Sequence, residues 1–209
     1  MIGSTRAYML LLIGLVVCLG PSPAFPQAGM IGVSSDYYGS SCNIADPGGG
    51  LVQVYVHYFY SPGSRGTRFR LNVEGTGWTH LGDLPEFPWT VGTSIDSVTI
   101  CWDQCLSGSF LLLIANFFGS AALPCTMIGI DTYPGAGLEG LDCDLNVVNP
   151  AAGRAYVNAD ASCPCTACLT GMESACVKKV GPKKTALSNF CATVPVEQST
   201  WGTIKSLYR

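Results

Sequence analysis

Charged side chains are scarce in this chain of 209 residues. Asp, Glu, Lys and Arg make up 12% of it, where a soluble domain usually has about 25%. Hydrophobic residues make up 48%, which excludes a disordered protein, because disorder needs low hydrophobicity and high net charge. A coiled coil is excluded as well, since it is rich in Glu and Lys. The formal net charge of −3 indicates that nucleic acid is not a partner, because that function requires a basic surface.

Histidine occurs only twice, at His57 and His80, and the common catalytic motifs are missing. The chain has no Gly-x-Ser-x-Gly elbow, no His-Glu-x-x-His motif and no phosphate-binding loop. We therefore predict a protein that is not an enzyme and has no cofactor. A secreted hydrolase is the alternative, because Asp83 and Glu86 share one loop with His80 and paired carboxylates can cleave glycosidic bonds.

Long apolar runs are missing too, except near the N-terminus. Residues 1–28 combine a lone Arg6, an apolar stretch from Tyr8 to Cys18 and a segment rich in Pro and small residues. This layout is typical of a secretory signal peptide, and its apolar stretch is shorter than the roughly 20 residues that cross a bilayer. We expect cleavage near Ala24 or Ala28, a secreted protein and no transmembrane segment in the mature chain.

Cysteine, in contrast, is abundant. Without Cys18, which lies in the signal segment, the number is even, and in an exported chain an even number predicts a disulfide framework. A hairpin around Pro134 would place Cys125 opposite Cys143, which predicts that these two are bonded. A short turn at residues 102–104 predicts a second bond, between Cys101 and Cys105. The ten cysteines expected to be oxidised are Cys42, Cys101, Cys105, Cys125, Cys143, Cys163, Cys165, Cys168, Cys176 and Cys191.

The distribution of the cysteines predicts a link between the two parts of the mature chain. Five lie before residue 160 and five after it, so both numbers are odd. If every thiol is oxidised within one chain, at least one disulfide must join the body to the tail.

The cluster from Cys163 to Cys176 also has other interpretations. Thiolates separated by two residues can share a tetrahedral zinc ion, and Cys165 and Cys168 have the spacing of a redox motif. Export favours structural disulfides over both.

Hydrophobic and polar residues alternate along most of the mature chain, which is the signature of β-strands. Segments of this kind, separated by Gly, Pro, Asn or Asp, predict about eight strands and an all-β antiparallel sandwich. The chain would then divide into a signal peptide (1–28), a sandwich domain (29–160) and a basic, cysteine-rich and mostly irregular tail (161–209) that ends in a short helix. The predicted strands are Met30 to Val33, Leu51 to Tyr60, Thr67 to Glu74, Ser94 to Cys101, Ser109 to Phe118, Pro124 to Asp131, Leu138 to Val147 and Arg154 to Val157.

The segment from Gly75 to Gly92 is the longest predicted connection, and it carries the candidate ligand-binding residues Trp78, His80, Phe87 and Trp89. Long loops on a β-scaffold often carry function, and amphipathic rings are common at binding surfaces. These residues predict a carbohydrate-binding loop. The alternative is that the rings plug one end of the sandwich.

Metal binding has one weak candidate, in which Asp142, Asp144 and Asn146 have the alternate oxygen ligands that open a calcium loop. Val147 stands where that loop needs glycine, so the solvated face of a strand is favoured and no metal is expected.

Two segments, GRAYVNADASCPC (Gly153 to Cys165) and STWGTIKSLYR (Ser199 to Arg209), resemble a group of exported bacterial proteins. Members share a signal peptide, a β-rich body, a Cys-Pro-Cys segment and a Trp-Gly-x-Ile-Lys tail, so the resemblance implies export. The body is similar in its pattern to cohesin-like and carbohydrate-binding sandwiches. We expect a non-catalytic structural or binding protein of the cell envelope or extracellular space, with a polysaccharide or an envelope component as its partner.

Overall fold

The computed structural model describes residues 28–73, 75–131 and 138–163, together with Cys191. The predictions for the signal segment, for Cys165, Cys168 and Cys176 and for the C-terminal helix lie outside these residues. Among the described residues, no helix is long and apolar enough to cross a membrane.

From residue 28 to residue 163, the regular secondary structure of the described ranges consists of strands, which confirms the all-β prediction. The strands are β1 (Met30–Ser34), β2 (Asn43–Ile44), β3 (Gly50–Asn72), β4 (Thr79–Pro85), β5 (Trp89–Thr93), β6 (Ser97–Gly119), β7 (Thr126–Asp131), β8 (Glu139–Leu141), β9 (Val147–Val148), β10 (Ala151–Ala152) and β11 (Arg154–Val157).

The two longest strands, β3 and β6, form the central ladder of the fold. They pair antiparallel from Gly50 opposite Gly119 to Phe69 opposite Val98, with register shifts near the middle. The sequence predicted two separate strands in each, because residues 61–66 (SPGSRG) are typical of a loop. Bulges absorb these residues without ending the strand, since a bulge inserts an extra residue while the ladder continues.

The strands form two layers, as expected for a sandwich. In the first layer, β1 and β6 flank β3, while β4 and β5 pair with the far side of β6. In the second layer, the end of β3 pairs with β7, and β11 lies between β7 and β2. Most of these pairs are antiparallel. The buried core between the layers includes Ile31, Val54, Val56, Phe69, Ile100, Leu113, Phe117, Ile128 and Val157.

The predicted hairpin around Pro134 is wrong. β7 pairs with Arg70–Asn72 of β3, and β8 pairs with Gly66–Arg68 of the same strand. Both run antiparallel to β3, so they run in the same direction and follow each other along one edge of it. Cys125 and Cys143 are consequently not opposite each other.

The disulfide pairing differs from both specific predictions, Cys125–Cys143 and Cys101–Cys105. Cys101 and Cys105 both lie within β6, where four residues of regular strand span about 13 Å, beyond the reach of a disulfide. The observed bonds, with their Cα–Cα distances, are Cys101–Cys191 (5.7 Å), Cys105–Cys143 (5.3 Å) and Cys125–Cys163 (5.7 Å).

The predicted link between body and tail is confirmed twice, because Cys163 and Cys191 lie in the tail and their partners lie in the body. Cys42 is buried and is also disulfide-bonded. Since Cys163 is oxidised, it offers no thiolate to the zinc cluster that the sequence left open.

The Cys101–Cys191 bond requires glycine at position 66, because a side chain there would have no room. A Cβ at this position would lie 2.8 Å from Cys191 Sγ and 3.1 Å from the Ile100 carbonyl oxygen. We therefore expect Gly66→Ala to lower the free energy of unfolding by about 1–3 kcal/mol through overpacking, measured by denaturant titration of the oxidised protein.

Gly50→Ala is the matched control, because a Cβ there meets no atom within 4 Å. The control should unfold within about 1 kcal/mol of the native protein. Equal stability of the two variants would contradict the close approach of Cys191 to Gly66.

Candidate functional site

The segment predicted as a long aromatic loop is mostly strand. β4 and β5 both pair with β6, and only residues 86–88 separate them. Pro85 and Pro88 made the segment resemble a loop, but proline is tolerated on a strand that has a partner on one side. The four candidate ligand-binding residues therefore lie along a sheet edge, where they do not share one platform.

Trp78 packs against the core. Its ring lies 5.5 Å from that of Phe117, and its Nε1 donates a hydrogen bond of 2.7 Å to Asp46 Oδ2. These contacts agree with the alternative to a binding loop, in which the aromatic rings plug one end of the sandwich.

The Asp46 carboxylate joins Trp78 to two loops. Its Oδ2 also accepts from the Ala122 amide at 2.8 Å, and its Oδ1 accepts from the Gly48 amide at 2.9 Å. Burial raises the pKa of Asp46, but these hydrogen bonds together outweigh that effect, so the pKa lies below the usual 3.8. The ionised carboxylate is thus a structural acceptor at one end of the sandwich.

His80 and Asp83 meet, but in a structural arrangement. His80 Nε2 lies 2.9 Å from Asp83 Oδ1, which also accepts from Ser94 Oγ at 2.7 Å. Asp83 Oδ2 accepts from the Ser94 amide, so this carboxylate anchors the turn after β5. A nucleophilic serine would instead need its hydroxyl within hydrogen-bond reach of the histidine. Glu86, the third group of the hydrolase hypothesis, lines a cleft elsewhere.

The calcium candidates form a turn where the sequence predicted a strand. Asp142 Oδ1 accepts from the amides of Asp144 and Asn146, at 2.9 and 2.8 Å, and Asp142 Oδ2 accepts from Asn146 Nδ2 at 3.0 Å. Both carboxylate oxygens therefore bind N–H groups of the loop itself. The predicted strand from Leu138 to Val147 is wrong for the same reason, because the turn separates β8 from β9.

Cys125, Asp160 and Cys163 also place possible metal ligands within 4.8 Å of one another. The two sulfur atoms are bonded to each other, so they provide no thiolate for a metal.

A cleft of about 430 Å³ opens where the loop after β1 faces β3, the β4–β5 connection and β6. This volume lies in the range of about 300–1,000 Å³ that is usual for small-molecule sites. Half of its lining residues are Tyr or Phe. The lining residues are Tyr37, Tyr38, His57, Glu86, Phe87, Ser109, Phe110 and Leu111.

The loop that carries the two tyrosines is held by one carboxylate. Asp36 accepts hydrogen bonds from the amides of Tyr38, Ser40 and Ser41 and from Ser40 Oγ, at 2.8 to 3.2 Å. Burial raises the pKa of Asp36, but these hydrogen bonds outweigh it and the pKa lies below the usual 3.8. Gly39 adopts a positive φ of 69°, and a Cβ there would lie 2.7 Å from the Phe59 ring. The loop is therefore preorganised and packed on the sheet.

Tyr37 and Tyr38 project from this loop into solvent, with 52% and 88% of their surface exposed. Their ring centroids are 5.6 Å apart and the ring planes meet at 82°. Opposite them, Phe87 and Phe110 rest on the buried Trp102, at 4.9 and 5.4 Å between ring centroids. One wall of the cleft is therefore exposed and the other belongs to the core.

Three polar side chains complete the lining. His57 Nε2 lies 3.2 Å from the Asp36 carbonyl oxygen, which can only accept, so Nε2 carries the hydrogen and Nδ1 is an acceptor. Burial lowers the pKa of His57 below 6.5, against a smaller opposing effect of Asp36. Ser109 Oγ accepts from the Tyr60 amide at 3.2 Å, and Glu86 is exposed. The cleft thus combines aromatic faces with hydrogen-bonding groups.

Of the predicted ligand-binding residues, Phe87 alone lines this cleft. Trp89 lies on β5 opposite Cys101, while Trp78 and His80 contact the Phe117 ring. Sequence reasoning missed Tyr37 and Tyr38. The available signal was local: two adjacent aromatic residues in a short segment of Asp, Gly and Ser, which are residues that favour tight turns.

No protein-family model matches the chain, and none of the curated proteins matches it in sequence. Several solved cohesin modules are similar to it in structure. One is the cohesin module of a family 33 glycoside hydrolase from Clostridium perfringens, which is 7% identical, with a TM-score of 0.46 over 64% of this chain and 99% of that one. Another is a type I cohesin–dockerin complex from Clostridium thermocellum, which is 12% identical, with a TM-score of 0.43 over 62% and 99%.

A third is the sixth cohesin of scaffoldin B from Acetivibrio cellulolyticus, in complex with a dockerin. It is 13% identical, with a TM-score of 0.42 over 64% of this chain and 99% of that one. The body therefore resembles cohesin modules weakly, as its sequence pattern suggested.

The Asp46 contacts predict a loss of stability in Asp46→Asn. An amide can replace only one of the two accepting oxygens, which leaves a buried N–H without its acceptor, at a cost of about 1–3 kcal/mol. Because the pKa of Asp46 is lowered in the folded protein, its contribution is complete above pH 3.8 and is lost as the pH falls below that value. Denaturant titrations at neutral pH and in acid should show that the difference in free energy of unfolding between the native protein and the variant becomes smaller in acid.

Asp103→Asn is the control, because Asp103 is exposed and its substitution removes the same charge as Asp46→Asn. The role of Asp46 would be contradicted if the two variants lost equal free energy of unfolding, or if the loss in Asp46→Asn did not change with pH.

Proposed function

We propose that this protein is a secreted, non-catalytic binding protein whose aromatic cleft holds a sugar residue of an extracellular or cell-envelope polysaccharide. The observation that carries the proposal is the pair of exposed tyrosine rings, Tyr37 and Tyr38, on a preorganised loop beside a cavity.

The chemistry of the lining fits a sugar. A pyranose has an apolar C–H face, which packs on an aromatic ring, and a rim of hydroxyl groups, which needs donors and acceptors. The rings of Tyr37, Tyr38 and Phe110 offer the first. For the second, the Glu86 carboxylate can accept and the Ser109 hydroxyl can donate. Holding the tyrosines in place before binding reduces the entropy that binding costs.

A peptide is the competing ligand, because aromatic grooves also bind proline-rich segments. Peptide recognition of that kind uses an extended groove or a free strand edge. Here four separate segments converge on one cavity of about 430 Å³, a geometry that favours a compact ligand.

The polar cluster at His80 supports a role without catalysis. The Ser94 hydroxyl and amide both donate to Asp83, so the serine is positioned by the carboxylate and not by the histidine. Glu86 lies in the cleft lining, away from this hydrogen-bonded group. The arrangement stabilises the turn after β5 and does not assemble a nucleophile with its base.

Export is supported by two independent features. Residues 1–28 have the layout of a signal peptide, and the three disulfides described here require an oxidising compartment to persist.

We expect Tyr37→Ala and Tyr38→Ala each to weaken binding of the best glycan about tenfold, because each removes one stacking surface worth about 1 kcal/mol or more. A glycan array with the intact oxidised protein identifies the ligand, and isothermal titration calorimetry measures the dissociation constants.

Phe118→Ala is the control, since Phe118 is 51% exposed on β6 and does not line the cleft. It should bind like the native protein. An array without signal would contradict the proposal, as would a peptide ligand that the two tyrosine variants fail to bind.

A further inference from the structure

We infer that the ligand of the aromatic cleft is a cationic sugar, such as a polymer of deacetylated amino sugars, and that Glu86 selects it. This inference rests on the proposed function and specifies its substrate class.

Among the residues that the structure describes, the lining of the cleft carries a negative charge and no positive one. Of its eight lining residues, Glu86 is the one charged at neutral pH, since burial lowers the pKa of His57 and favours the neutral imidazole. Arg65 is directed elsewhere, because its guanidinium donates to the Asp103 carbonyl oxygen. A uronic acid would therefore meet a carboxylate without a compensating cation, and an ammonium group would meet an attractive one.

The aromatic walls add to this preference. The face of an aromatic ring carries partial negative charge and attracts a cation within about 6 Å of the ring centre. The ring planes of Tyr37 and Tyr38 meet at 82° and their centroids are 5.6 Å apart. An ammonium group where the two rings meet can therefore contact the face of one ring, while the hydroxyl groups of the sugar point towards solvent. Phe87 and Phe110 supply further rings across the cleft.

A second carboxylate reinforces the potential from behind the loop. Asp36 lies next to Tyr37 in sequence and accepts from the Tyr38 amide at 2.9 Å. Its oxygens already accept four donors of the loop, so it acts on a ligand through its field and not through a direct hydrogen bond. The cleft thus joins aromatic faces, one exposed carboxylate and one partly shielded carboxylate.

Calorimetry with three hexasaccharides of one size tests the inference: N-acetylglucosamine, glucosamine and galacturonate oligomers, at about pH 6.5 and low salt. We expect the native protein to bind the glucosamine oligomer about fivefold or more tightly than the acetylated one, with a preference that shrinks as salt is added. The galacturonate oligomer should bind most weakly.

Glu86→Gln should bring the ratio of the first two affinities close to one, whereas Asp103→Asn, which removes an exposed charge outside the cleft, should leave the ratio unchanged. Thermal unfolding of each variant shows that the fold is intact.

The outcomes separate the two proposals. Equal affinity for the first two oligomers, tighter binding of galacturonate, or an unchanged ratio in Glu86→Gln overturns the cationic selection and leaves sugar binding in place. A native protein that binds no glycan in these titrations or on the array overturns the proposed function and, with it, this inference.

Discussion

The antiparallel ladder between β3 and β6 is the interaction on which the other features depend. Each strand has 23 residues, and every other strand of the first layer is attached to one of the two, directly or through a neighbour. β3 also continues into the second layer, where its last residues pair with β7. One continuous strand therefore sets the relative position of both layers, and with it the position of the cleft beside His57 and Phe110.

Three aspartates show how a charge-poor protein uses the few carboxylates that it has. Asp36, Asp46 and Asp83 each accept several hydrogen bonds from the amides and side chains of one or two loops. Taking a carboxylate out of water is costly unless donors surround it, and the conformation of each of these loops supplies such donors. The hydrogen bonds that hold the tyrosine loop and the contact of Trp78 with Asp46 follow from the same principle.

The disulfides attach the C-terminal part of the chain to the sandwich at separate places. Cys163 is bonded to the start of the β7 region, and Cys191 to the buried Cys101 on β6. Such links restrict the unfolded state. The part of the chain after residue 160 carries six of the eleven Lys and Arg residues. None of the residues that the structure describes in the lining of the aromatic cleft is a cysteine.

Local pattern was enough to determine the β-class, the position of most strands and the presence of disulfides between body and tail. Alternation at period two records which side chains are buried, and the number of cysteines constrains their pairing without any geometry. Local pattern could not predict which distant segments of the chain pair with each other. The bulges in β3, the shared edge of β7 and β8, and the pairing of Cys101 with Cys191 all depend on contacts between residues far apart in sequence. The cleft has the same origin: Tyr37, Glu86 and Phe110 come from three segments, and only the packing of the sheets brings them to one cavity.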